Sequence, residues 1–143
     1  MPALIDTNVL VDRFDPRCPA EQAAAPARLR DGIRERSVVV PHQAIPEFVQ
    51  VVTRVVGGGP ALLEARDAGR EAEMLRTQVD VRSPDAELVR IALRGAAASQ
   101  LAWFDAHLWA CAERSGLDPL WSEDFESGRR YGTVAVANPF AAT

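Results

Sequence analysis

Short apolar runs alternate with amphipathic stretches along the chain. "PALID" (2–6) is an apolar run that stops on a carboxylate. It reads as a short buried strand, with "TNVLVDRF" opening a helix at its end. Residues 20–36, rich in Ala and Arg with Leu29 and Ile33 four apart, suit a helix broken or kinked near Pro26. "SVVVP" (37–41) is a β-branched run bounded by Pro, hence a second strand. Phe48, Val51, Val52 and Val55 then recur at i, i+3, i+4 and i+7, the stripe of a helix starting near residue 43, with Pro46 tolerated in its first turn. "GGGP" (57–60) ends that helix, and Pro60 opens another through about Arg76. "QVDVR" (78–82) is a third strand. Ser83, Pro84 and Asp85 supply a cap, a first-turn proline and an acid for a helix toward residue 97. A further helix covers 103–115 and stops at Gly116, and "DPLWS" (118–122) and "TVAVAN" (133–138) complete the strands. Strands alternating with helices predict an α/β fold, a parallel sheet covered on both faces.

The 143 residues suit one domain, and 48% hydrophobic with 25% charged residues suits a soluble globular protein. No apolar run approaches the roughly 18 residues of a membrane span. The first residues lack the basic region of a signal peptide and include Asp6, so the cytoplasm is the expected compartment. Cys18 and Cys111 have no motif spacing. This argues against a disulfide scaffold and makes Cys111 a small apolar filler. Twenty acids against sixteen bases leave a net charge of −4, so bulk electrostatics do not point to nucleic acid. Every base is arginine, which excludes chemistry that needs a lysine.

Ligands of a parallel α/β sheet bind beyond the carboxyl ends of its strands. Four acids are expected there. Asp6 ends the first strand, Glu47 lies in the first turn after the second, Asp105 sits early on an apolar and aromatic helix, and Asp124 follows "DPLWS". Each alone has an ordinary explanation: Asp6 or Asp105 as a helix cap, Glu47 as a solvated acid near a helix start, Asp124 as a turn residue. Together they would repel one another and lose hydration, costs that a divalent cation relieves. Oxygen-only ligands select hard ions such as Mg²⁺ or Mn²⁺. One such ion, or two roughly 4 Å apart, can activate water and stabilise an in-line displacement on a phosphodiester. Thr7 and Asn8 beside Asp6, and Ser122 just before the last acids, can orient a carboxylate or a bound water. His42 and His107 stand at no ligand spacing and read as packing or surface residues.

The stretches "LIDTNVLVD", "HQAIPEFVQVVTR", "AWFDAHLWACAERSG" and "LWSEDFESGRRYGTVAVANPF" make the chain resemble the PIN domain, a small metal-dependent ribonuclease fold, and in particular the VapC-type toxins of bacterial toxin–antitoxin pairs. The likeness spans nearly the whole of 1–143 as a single domain. It implies a three-layer α/β/α sandwich around a parallel sheet of four to five strands. It also implies that Asp6, Glu47, Asp105 and Asp124 form an acidic site holding Mg²⁺ or Mn²⁺, with RNA as substrate. A homodimer and an inhibitory antitoxin partner come from the same resemblance. Pro46 directly before Glu47 departs from the pattern, and Glu123 rivals Asp124 for the fourth position. Arg129 and Arg130 are candidates for contact with RNA phosphates or an antitoxin carboxylate, or else belong to a solvated turn.

Other phosphate chemistries fit less well. A receiver domain needs a lysine. A haloacid-dehalogenase-like site wants an acid where Asn8 stands, and no P-loop or dinucleotide-binding glycine pattern is present. The alternative from another class is a catalytically silent PIN-like adaptor that binds RNA or protein.

Overall fold

In the computed structural model, which describes residues 2–125 and 128–140, the chain forms strands β1 (Ala3–Ile5), β2 (Val38–Pro41), β3 (Asp80–Arg82), β4 (Leu120–Trp121), β5 (Arg130–Tyr131) and β6 (Val134–Ala137). The helices are α1 (Thr7–Asp12), α2 (Pro19–Glu35), α3 (Ala44–Thr53), α4 (Ala65–Gln78), α5 (Ala86–Ser99) and α6 (Trp103–Ser115). The sheet order is β3-β2-β1-β4-β6-β5. The first five in that order are parallel, as expected. β5 adds an antiparallel edge with Arg130 opposite Ala135, and its two residues are too few for a pattern to announce.

Period-two alternation along the strands makes two cores. Leu4, Val39, Leu120, Val134 and Val136 face one side, under α5 and α6. Ile5, Val38 and Val40 face the other, under α1 to α4, with Phe48, Val52 and Leu75 completing that core. The result is the α/β/α layering. On the first side α5 and α6 approach closely at Gly95. A Cβ there would stand 2.2 Å from the Trp109 ring, and that ring is held by its indole N–H donating to the Tyr131 carbonyl at 2.9 Å.

Several boundaries differ from the sequence expectation. Helix α2 runs without interruption through Pro26, which is exposed. Helix α3 stops at Thr53 as Arg54 turns extended, so Val55 lies outside it and is 66% exposed. Five β-branched residues between Gln50 and Gly57 favour that early end. Helix α4 starts at Ala65 rather than Pro60, because Leu63 N–H donates to the Val52 carbonyl at 2.9 Å and Glu64 stays extended. The α5 cap is Asp85, not Ser83. Pairing of β3 with β2 and a 2.7 Å bond from His42 N–H to the Arg82 carbonyl keep the chain extended up to the helix. Helix α6 ends with Gly116 at φ 66, as its glycine predicts.

Candidate active site

The carboxyl ends of β1 and β4 lie side by side, Ile5 opposite Trp121. Asp6 follows β1 directly and is the N-cap of α1. Its Oδ1 accepts the Thr7 N–H at 2.6 Å and its Oδ2 accepts the Ser122 hydroxyl at 2.6 Å. Ser122 is fully buried, and its Oγ also accepts the Asp124 N–H at 3.1 Å. One buried hydroxyl thus ties the first acid to the backbone of the fourth. Thr7 Oγ1 donates to Glu47 Oε2 at 2.7 Å, which links α1 to the first turn of α3. Asp105 stands in the first turn of α6.

All four acids line one open cavity of about 330 Å³. Burial pushes the Asp6 carboxyl up to about 6, against the bonds from Ser122 and Thr7, and repulsion from Asp124 and Asp105 adds to the rise. Burial likewise raises Asp105, with Asp124 contributing. An oxygen-only set in which two members are already disfavoured as anions fits a hard divalent cation. Among the described residues, no three His, Cys, Asp or Glu side chains stand converged on one ion. Asp6 has both oxygens engaged within the protein, and Asp124 is exposed.

Asn8 also lines the cavity, and both polar atoms of its amide are buried without a partner among the described residues. Glu123 is absent from the cavity wall and turns toward Asp12. Burial first, then the hydrogen bond and charge of Asp12, lift its carboxyl to about 8. Arg129 and Arg130 are not on the cavity wall either. Arg129 stacks over Tyr131 at 4.7 Å, and Arg130 donates to the Thr133 carbonyl at 2.9 Å and lies 3.8 Å from Asp118, at the amino end of β4. The antiparallel return of β5 carries Arg130 toward the amino end of β4, while Arg129 stays beside Val136, whose N–H donates to its carbonyl at 2.9 Å. His42 is exposed and His107 half-buried against Trp103.

Asp12, Asp15 and Phe104 line the cavity as well and were not expected. The four-residue spacing of Asn8 and Asp12 on a helix was a usable signal. Phe104 had none, since neighbours on a helix point in different directions. A larger cavity of about 480 Å³ adjoins at Val51, with Arg17 and Arg54 in its wall.

A family model for the PIN domain matches residues 3–130. No curated protein matches the chain. Among solved structures, VapBC2 from Rickettsia felis, bound to a DNA fragment from their promoter, aligns with a TM-score of 0.69 at 8% identity, covering 95% of this chain and 97% of that one. FitAB bound to an IR36 DNA fragment aligns at 0.65 with 19% identity, covering 99% and 97%. VapC20 from Mycobacterium tuberculosis, a sarcin–ricin-loop-cleaving toxin, aligns at 0.58 with 16% identity, covering 85% and 89%. At these identities the structural likeness speaks for the fold.

Proposed function

Because the chain belongs to the PIN-domain family, we propose that it is a VapC-type toxin, a Mg²⁺- or Mn²⁺-dependent endoribonuclease that hydrolyses RNA phosphodiester bonds. The observation that carries this reading is the gathering of Asp6, Glu47, Asp105 and Asp124 on one cavity at the carboxyl ends of the strands. These four residues would hold the ion. When bound, it supplies a Lewis acid for water and for the phosphodiester oxygens.

The chain's own groups orient the site. Ser122 Oγ and the Thr7 N–H fix the Asp6 carboxylate, and Thr7 Oγ1 fixes Glu47. The Asn8 amide offers a donor and an acceptor to a water at the site. A protein antitoxin is the proposed partner, supported by the likeness to VapBC2 and FitAB. A homodimer of single-domain chains in the cytoplasm belongs to the same reading. No helix among the described residues is long and apolar enough to cross a membrane.

A second reading, the silent PIN-like adaptor, draws on the capping role of Asp6 and on the absence of three converged ligands among the described residues. One experiment separates the two. The purified protein is incubated with total cellular RNA, with Mg²⁺ or Mn²⁺ and with EDTA, beside Asp6→Asn. Discrete products that need metal and vanish in the variant establish the nuclease. No cleavage in any arm, with no rise in Tm on adding metal, points to the silent module.

A further inference from the structure

We infer that Phe104 is a stacking platform for a nucleobase of single-stranded RNA, beside the acidic site. The inference rests on the ribonuclease reading above and names what holds its substrate. Single exposed apolar residues are ordinary on protein surfaces. The position of this one is not. Phe104 is 69% exposed, directly precedes Asp105 on α6, and lines the same cavity as the four carboxylates. Val11, Val51 and Leu108 line that cavity too. It therefore presents apolar and acidic side chains at once, within a volume near the lower end of the roughly 300–1,000 Å³ of ligand pockets. A nucleotide has the same division, a flat base and a charged phosphate.

Charge sharpens the argument. The chain carries −4, and the acids of the cavity repel RNA. Arg17, near Asp15 on the cavity wall, is bonded to that carboxylate at 2.9 and 2.8 Å. Stacking supplies an attraction that does not depend on net charge, and every base offers a face to an aromatic ring. Trp103 serves as the internal control. It is 41% exposed in the same helical turn, but it is not on the cavity wall and packs edge-on against His107.

The test uses the full chain, a labelled mixed-sequence 12-nucleotide RNA and its duplex for anisotropy binding with EDTA, and the RNA cleaved in the assay above for kinetics. Phe104→Ala should weaken single-strand binding by roughly tenfold to a hundredfold and raise KM more than it lowers kcat. Its loss should be equal at low and high salt, because no phosphate contact is removed. Phe104→Trp should restore binding and Phe104→Leu should not, whereas Trp103→Ala should bind as wild type. Rescue by Leu, a duplex bound as tightly as the single strand, or a changed oligomeric mass with unchanged RNA binding would each overturn the inference, the last in favour of a protein contact. Cleavage that is indifferent to Phe104 defeats the stacking role alone. Phe104-dependent binding without cleavage supports stacking and defeats the nuclease. Neither binding nor cleavage defeats both.

Discussion

Asp6 and Asp85 both cap the start of a helix, and their electrostatic states are opposite. Asp85 accepts the Leu88 N–H at 2.8 Å and meets Arg114 at 3.1 Å. That N–H first, and then the guanidinium, hold its carboxyl below the usual range. Asp6 accepts two hydrogen bonds of 2.6 Å, yet its carboxyl is pushed up to about 6. Burial outweighs both bonds, and Asp124 and Asp105 add repulsion. Capping needs only an acceptor, which Ser or Asn supplies as well. A buried acid facing other acids exceeds what the helix start requires, and such excess is characteristic of functional sites.

The sharpest way to break this contrast is substitution to Asn at both positions. Asp6→Asn should lower metal-dependent RNA cleavage by more than about 100-fold, beyond the effect of losing a mere supporting contact. Asp85→Asn should leave cleavage at the wild-type rate. Equal rates for all three proteins in a timed cleavage assay would reduce Asp6 to a cap.

Ser122→Ala tests the support directly. It removes the donor to Asp6 Oδ2 and the acceptor of the Asp124 N–H together, and should cost roughly 10- to 100-fold in activity or metal affinity. Calorimetric titration with Mn²⁺ reads the affinity, and wild-type affinity and activity in the variant would rule the serine out.

The pH dependence of stability carries a definite sign. Without metal, the folded chain holds the Asp6 proton more tightly than the unfolded one. The stabilisation is complete below the ordinary value of 3.8 and is lost as pH rises through about 6. The swing is about 3 kcal/mol. Urea titrations with EDTA at about pH 4 and about pH 8 should show wild type losing stability relative to Asp6→Asn; parallel behaviour would remove the electrostatic difference.

The smallest effect belongs to the exposed cap. Asp85→Ala should lower Tm by roughly 3 °C without changing cleavage. A Tm equal to wild type in a thermal melt would mean that the Leu88 N–H finds another acceptor.

Local chemistry made much of the fold legible. The β-branched run before Pro41, the apolar run ending on Asp6 and the glycine after α6 each act within a few residues, and the strands and the α6 boundaries follow them. Ser83 with Pro84 is as good a local start as Asp85, and only the pairing of β3 with β2 decides between them. Pro60 offers a helix start that the tie of Leu63 to α3 overrides.

The site divides in the same way. By itself the sequence determined which acids stand at the carboxyl ends of strands or in first helical turns, because the apolar runs and stripes that bring them there are read within a few residues. Tertiary structure alone decided that Thr7 bonds to Glu47, forty residues away, and that Ser122 reaches Asp6 across 116. It also turned Glu123 onto Asp12, set Arg130 near Asp118 and Arg129 over Tyr131, and placed Phe104 on the cavity wall. The physical reason is that a side chain's partners depend on how helices cross the sheet and where a strand reverses. Those are set by the packing of two cores at once, which no short stretch of sequence contains.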